Sequence, residues 1–440
     1  MEPGKAGSAS IPKQITGGPH QEVYWAVWAT AAAFGCYFCM YAFRKPFTVA
    51  DYRDTVLAGI GFKTVLVTSQ IVGYMVSKFV GIKVIAELAP HRRAMAILWM
   101  ILFAELALVL FGVIPRPWNA LCLFANGLPL GMVFGLVLGM LEGRVLTEAL
   151  TAGLCASFIL ADGVMKSLGA WLLLRGAPED WMPATAGAIF LLPLGLCVAM
   201  LARIPPPDQR DIAARAVRST MNRDSRWSFA RRHFIGLVPL TLMYLMVTIL
   251  RSIRADYAPE IWRGLGSPAV PSTFAQSEIW VMLGMLAVNG STVLIRDNRR
   301  AFFVSLGTCG MGFCLLAIAL AMHAQGGVSN FGFMVMLGLG LYLPYVAMHT
   351  TVFERMLAMT RERGTIGFLM YFVDAFGYLG YVAVMIAHNF GPRPNDLLGL
   401  LTMACWLSIG VSIVSLAISW QYFQRLASPV ERLEPAEGLA

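Results

Sequence analysis

The sequence predicts an all-α integral membrane protein with twelve transmembrane helices in two related six-helix halves, on three observations. Of its 440 residues 58% are hydrophobic and 13% charged, whereas water-soluble domains carry about 25% charged residues. The apolar residues gather in stretches of roughly 20, the length a helix needs to cross the hydrocarbon core. Landmarks of the first half recur in the second at a common register. The first two observations exclude a water-soluble fold; the third gives the chain its internal plan.

Taken in order, residues 1–22 form a polar tail of Gly, Pro, Lys and Ser with no apolar core, unlike a cleavable signal peptide. Insertion then falls to the first span itself. Hydropathy places spans near 23–44, 62–85, 94–114, 118–140, 152–174 and 184–203, making an N-terminal half over 23–203. A polar linker over 204–234 opens with Pro205-Pro206-Pro207 and carries Arg210, Arg215, Arg218, Arg223, Arg226, Arg231 and Arg232. The second half, 235–423, repeats the pattern near 235–257, 275–295, 301–322, 331–353, 365–388 and 398–423, and 424–440 form a polar tail.

Basic residues favour alternate loops. Arg92, Arg93, Arg144, the linker arginines, Arg299, Arg300, Arg361 and Arg363 fall on one side, and few such as Arg53, Arg116 and Arg263 on the other. Because Lys and Arg are retained in the cytoplasm, both termini and the linker are expected there, in a multi-pass protein of the cell membrane. Trp25, Trp28, Trp118, Trp181 and Trp262 lie near span ends, as interfacial aromatics should. The net charge of +9 is explained by topology, since aromatic-interleaved basic patches for nucleic acid are absent. All eight cysteines fall in apolar stretches, so Cys36-x-x-Cys39 reads as packing and no disulfides are expected. The chain is expected to act as a monomer.

Ionisable groups at membrane depth are costly, so each marks a candidate substrate or ion path. They are Arg44, Lys78, Lys83, Glu105, Asp162, Lys166, Arg251, Arg254, Asp256, His349 and Asp374. The basic loops His91-Arg92-Arg93-Ala94 and Asn298-Arg299-Arg300-Ala301 are 207 positions apart, and the same shift carries Arg44 onto Arg251. Pro129 and Pro344 correspond more loosely. Duplicated halves build many secondary transporters. Paired guanidiniums across their interface would make a bidentate site for phosphate or carboxylate, unless each arginine snorkels to the surface. Lys78, whose shifted position is Met285, would be a third cation lining the cavity, or would pair with a carboxylate such as Glu105 or Asp374. Asp162 and Lys166, spaced i, i+4, can pair on one helix face, serving either structure or substrate and proton handling. Asp374, Glu105 and His349 are further coupling candidates. Gly127, Gly131, Gly135 and Gly139 strip one helical face to backbone, which suits close helix packing or sliding.

Three segments carry a family resemblance: Tyr41-Ala42-Phe43-Arg44-Lys45-Pro46-Phe47, the stretch from Gly73 to Phe79 containing Ser77-Lys78-Phe79, and Leu250-Arg251-Ser252-Ile253-Arg254-Ala255-Asp256-Tyr257-Ala258-Pro259. They resemble the organophosphate:phosphate antiporters of the major facilitator superfamily, transporters of glycerol-3-phosphate and hexose phosphates. The resemblance implies that Arg44 and Arg251 bind a phosphoryl group with Lys78 in support. The chain departs from the pattern at several points: Pro46 stands for Asn, the loop after the second span lacks the superfamily's acidic-basic dipeptide, and Asp162 and Lys166 stand where a substrate-side His is common.

The expected function is secondary active transport of a small organic anion, a phosphorylated metabolite, by alternating access, in exchange for phosphate or coupled to protons. The alternatives are a proton-coupled exporter of a neutral or lipophilic solute, using Asp162, Asp374 and Glu105, and a transporter-like sugar-phosphate sensor. No nucleotide, hydrolase or metal motif occupies a plausible place, so neither an enzyme nor a cofactor is expected.

Overall fold

The computed structural model describes residues 19–141, 147–205, 228, 231–267, 270–360, 366–390 and 396–427. The expected tails, most of the linker and the loops around Arg144, Arg361, Arg363 and Arg393 lie outside them. Six long helices form the first half: α1 (Pro19–Met40), α2 (Phe62–Glu87), α3 (Pro90–Val113), α4 (Ala120–Leu141), α5 (Thr147–Leu174) and α6 (Met182–Ala202). The second half comprises α7 (Phe234–Asp256), a short α8 (Ala258–Gly264), α9 (Pro271–Val293) and α10 (Asn298–Ala324). It continues with α11 (Asn330–Ala347), α12 (Phe353–Thr360), α13 (Ile366–Asn389) and α14 (Leu397–Ala427). A π-helical turn, Met348–Val352, joins α11 to α12 into one span, so twelve membrane-length segments stand among the described residues. The last helix runs past the expected boundary at 423 to Ala427.

Counting described residues alone, nine of these segments are long and apolar enough to cross a membrane. The halves join where α2 packs against α13 and where α5 packs against α9.

The face carrying the C-terminal ends of α1 and α7, opposite the linker, is called the distal face below. There the first span ends sooner than hydropathy suggests. The α-helix stops at Met40 and tightens into a 3-10 turn over Tyr41–Phe43, followed by a second over Pro46–Val49. Pro46 has no N–H to continue an α-helical ladder. The next loop holds a small hairpin that hydropathy does not reveal: β1 (Val56–Leu57) pairs antiparallel with β2 (Ile60–Gly61). Its two turn residues, Ala58 and Gly59, both have positive φ, 50° and 80°, the geometry that matches a two-residue hairpin to strand twist.

The glycine ladder of α4 serves packing. A Cβ on Gly127 would strike the Gln70 carbonyl of α2, one on Gly131 would strike Ser77, and one on Gly73 of α2 would strike the Phe124 carbonyl. Gly135 is buried in the same helix. At Gly139 the partner is Arg93, whose Nη1 donates to the Gly139 carbonyl at 2.5 Å. Trp118 and Trp181 are exposed, as interfacial aromatics should be. Trp262 departs from that expectation: it is buried, with its ring 6.5 Å from Phe331, because α8 turns it inward.

Candidate functional site

At the interface of the halves lies a narrow cavity of about 20 Å³, room for about one water, lined by Tyr37, Tyr41, Arg44, Tyr74, Lys78, Phe134, Phe158, Arg251, Tyr345, His349, Asp374 and Tyr378. The bend after α1 aims Arg44 into it, and a polar clamp holds that bend. Asn126 of α4 donates to the Phe43 carbonyl at 3.1 Å and to the Ala104 carbonyl at 3.0 Å. Gln70 of α2 donates to the Arg44 carbonyl at 3.2 Å and to Asn126 Oδ1 at 2.8 Å. Three helices thereby fix the backbone of one arginine. Arg251 comes from the continuous helix α7 and needs no such device.

Both guanidiniums are buried, so neither snorkels to the surface. Arg44 Cζ lies 4.1 Å from the Tyr74 ring centroid and 5.6 Å from that of Tyr41. Arg251 Cζ lies 4.4 Å from Tyr345 and 6.0 Å from Tyr342, and Nη2 donates to the Tyr378 hydroxyl at 3.3 Å. Among the described residues neither forms an ion pair, and Arg251 Nε is buried without a hydrogen-bond partner. A cation over an aromatic face gains about 0.5–2 kcal/mol, whereas burying an ion costs several kcal/mol. The tyrosines offset that cost only in part. Two buried cations, one from each half, thus face one cavity.

Lys78 combines its two expected arrangements, lining the cavity and pairing with a carboxylate. Its Nζ lies 2.9 Å from Asp374 Oδ2, reaching from α2 to α13 across the interface. Asp374 also accepts from the Tyr244 hydroxyl. His349 sits in the π-helical turn with Nε2 3.3 Å from Tyr244 Oη and Nδ1 3.0 Å from the Tyr345 carbonyl. Such turns are frequent at functional sites.

Directly toward the distal face lies a second charged layer. Asp162 and Lys166 pair as their spacing predicts, but outside the cavity. Lys45 Nζ adds contacts of 2.5 Å to Asp256 and 3.5 Å to Asp162, and Tyr381 donates to Asp256 at 3.0 Å. Arg254 binds Glu278 at 2.8 Å and donates to the Met334 carbonyl at 3.1 Å. Three cations here (Lys45, Lys166, Arg254) meet three carboxylates (Asp162, Asp256, Glu278). Nearer the distal surface, Lys63 meets Glu260 at 2.6 Å, Arg263 meets Asp51 at 2.5 Å, and Tyr257 donates to Thr64 at 3.0 Å. Each of these three contacts joins one half to the other.

Glu105 lies elsewhere, buried on α3 against Gly187 of α6 and Phe43, with Oε2 lacking a hydrogen-bond partner. The side chain of Lys83 is outside the description. Asp162, Asp374 and Glu105, grouped above as proton carriers of an exporter, therefore do not line one cavity. Sequence reasoning passed over Lys45, Glu278, Tyr244 and the cavity tyrosines. A carboxylate inside a predicted span could have flagged Glu278; a tyrosine in an apolar helix carries no comparable signal.

Solved structures share this architecture. The chain resembles a D-xylose–proton symporter at TM-score 0.54 and 12% identity, over 90% of this chain and 97% of that one. It resembles a bacterial homologue of the human drug peptide transporters PepT1 and PepT2 at 0.56 and 12%, over 91% and 98%. The human organic anion transporter MFSD10 (TETRAN) gives 0.52 and 13%, over 92% and 100%. At these identities the likeness shows the fold, which is the major facilitator fold of a multi-pass membrane protein, and it singles out no subfamily. No curated protein matches the sequence. A family model does match, over residues 46–426, and the chain accordingly belongs to DUF5690, a family of unknown function.

Proposed function

We propose that the protein is a secondary active transporter of a small organic anion, a phosphorylated metabolite, moved by alternating access in exchange for phosphate or together with protons. The linker and both termini would face the cytoplasm. The observation that carries this reading is the pair Arg44 and Arg251, one from each half, buried at one cavity without carboxylate partners. Together with the neutralised Lys78–Asp374 pair they leave the cavity with two uncompensated positive charges. A phosphate monoester, bearing about −1.5 to −2 at neutral pH, is the matching complement. Bridging both arginines, it would draw the halves together and favour reorientation of the loaded carrier.

Counterflow in proteoliposomes tests this, using labelled glycerol-3-phosphate, hexose-6-phosphate, phosphate and simple carboxylates. Saturable exchange of a phosphorylated solute is expected, with Arg44→Lys and Arg251→Lys each lowering it because an ammonium cannot reproduce the guanidinium fork. Exchange that ignores both substitutions would sink the proposal.

A further inference from the structure

One connected group at the cavity wall has no part in neutralising an anion: Asp374 and His349, which line it, and Tyr244, which joins them from behind. Its hydrogen inventory is uneven. Three contacts each require one hydrogen, namely Asp374 with Tyr244, Tyr244 with His349 Nε2, and His349 Nδ1 with the Tyr345 carbonyl. With Asp374 ionised and His349 neutral only two hydrogens are present, one on the phenol and one on the ring. The carbonyl and the carboxylate can only accept. One more proton completes the chain, whether it rests on the imidazole or the carboxyl group.

The surroundings tie this proton to an anion. Charged and titratable groups facing His349 are Tyr244 and Arg251 from α7, Asp374 from α13, Lys78 from α2 and Tyr345 from its own span. Three of the charged groups close to this chain or its cavity, Lys78, Arg251 and Arg44, repel an added proton, and an anion bound to them reverses that effect. Asp374 is also the carboxylate that holds Lys78, so an anion reaching Lys78 competes with it. We propose that Asp374, Tyr244 and His349 form a one-proton coupling site in which Asp374 is the resident counter-ion of Lys78, displaced by a substrate anion as the chain takes up a proton from solvent. The proposal rests on the anion-site reading above and specifies protons as the coupling species.

The test uses the full-length protein and sulfate, which stays a dianion between about pH 5.5 and 8, the range in which histidine-based sites titrate. Uptake of one proton with the anion makes sulfate bind about tenfold tighter per unit fall in pH across the titration. His349→Gln and Tyr244→Phe should each flatten that slope, and Asp374→Asn should flatten it while tightening binding at the alkaline end, where Lys78 is freed. A slope preserved in both His349→Gln and Tyr244→Phe overturns the proposal; the two are independent, so misfolding of one leaves the other decisive. Sulfate binding with a flat profile in the wild type removes the coupling site and leaves the anion site standing. Absence of sulfate binding at every pH removes both.

Discussion

The cavity and the layer above it are built from the same residue types with opposite charge balance. In the cavity Arg44 and Arg251 rest on tyrosine rings and, among the described residues, pair with no carboxylate. A few ångströms toward the distal face, Lys45, Lys166 and Arg254 are matched one for one by Asp162, Asp256 and Glu278. Even adjacent positions divide this way: Arg44 faces the cavity and Lys45 the neutral layer. Within this balanced layer the Lys45–Asp256 contact crosses from one half to the other, whereas Asp162–Lys166 and Arg254–Glu278 each lie within one half. In the proposed function the unbalanced charges are the ones a substrate anion would meet. A carrier working by alternating access needs both, because the closed end must be stable without substrate and the site must not be satisfied without it.

The largest expected effect comes from removing a cavity charge. Arg44→Ala or Arg251→Ala should lower anion counterflow by about 100-fold or more, since a charge-assisted hydrogen-bond partner is worth about 1.5–3 kcal/mol and a bidentate arginine supplies two such bonds. The apoprotein should lose no thermal stability, as an uncompensated buried charge has been removed. Thermal melting beside counterflow checks both halves of that statement.

The neutral layer should respond in the opposite sense. Lys45→Ala leaves Asp256 with an unpaired buried charge, which typically costs about 3–5 kcal/mol, read as a lower melting temperature. The double variant Lys45→Met, Asp256→Leu should recover much of that loss, because replacing both members of a buried pair by apolar groups is often neutral. Failure of the double variant to recover would mean the pair does more than balance charge.

Smaller effects are expected at the packing seam and at the rim. Gly127→Ala forces a methyl against the Gln70 carbonyl and should cost about 1–3 kcal/mol, as overpacking does. It would also loosen the clamp through Gln70 and Asn126 that holds Arg44, so anion affinity should fall along with stability. Asp51→Asn breaks a pair whose side chains are 34% and 39% exposed and should change stability by less than about 1 kcal/mol, an effect that added salt erases. An Asp51 variant as damaging as the Lys45 variant would collapse the distinction between rim and layer.

Much of the plan was legible without coordinates. Hydropathy located the twelve segments, because the bilayer fixes both the length and the apolarity of a spanning helix. The register between Arg92 and Arg299 led directly to Arg44 and Arg251, which the structure places at one cavity. The i, i+4 spacing of Asp162 and Lys166 forecast their pairing, and the glycine ladder forecast a close helix contact. Beyond that local pair, which carboxylate meets which cation was legible only in part: Glu105 and Asp374 stood as alternatives for Lys78, and the partner of Lys45 was not foreseen. Lys78 and Asp374 are 296 residues apart, and Lys45 and Asp256 are 211 apart.

The sequence by itself therefore determined the membrane class, the duplicated halves and most of the buried charges, Lys45 and Glu278 excepted, since these follow from composition, period and register along the chain. Tertiary structure alone decided their pairing: the bend at Tyr41–Phe43 that separates Arg44 from Lys45, the π-helical turn that brings His349 to Tyr244, and the meeting of α2 with α13 that gives Lys78 its counter-ion. The physical reason is that the cost of a buried charge depends on its neighbours in space, and those are set by how the two halves meet.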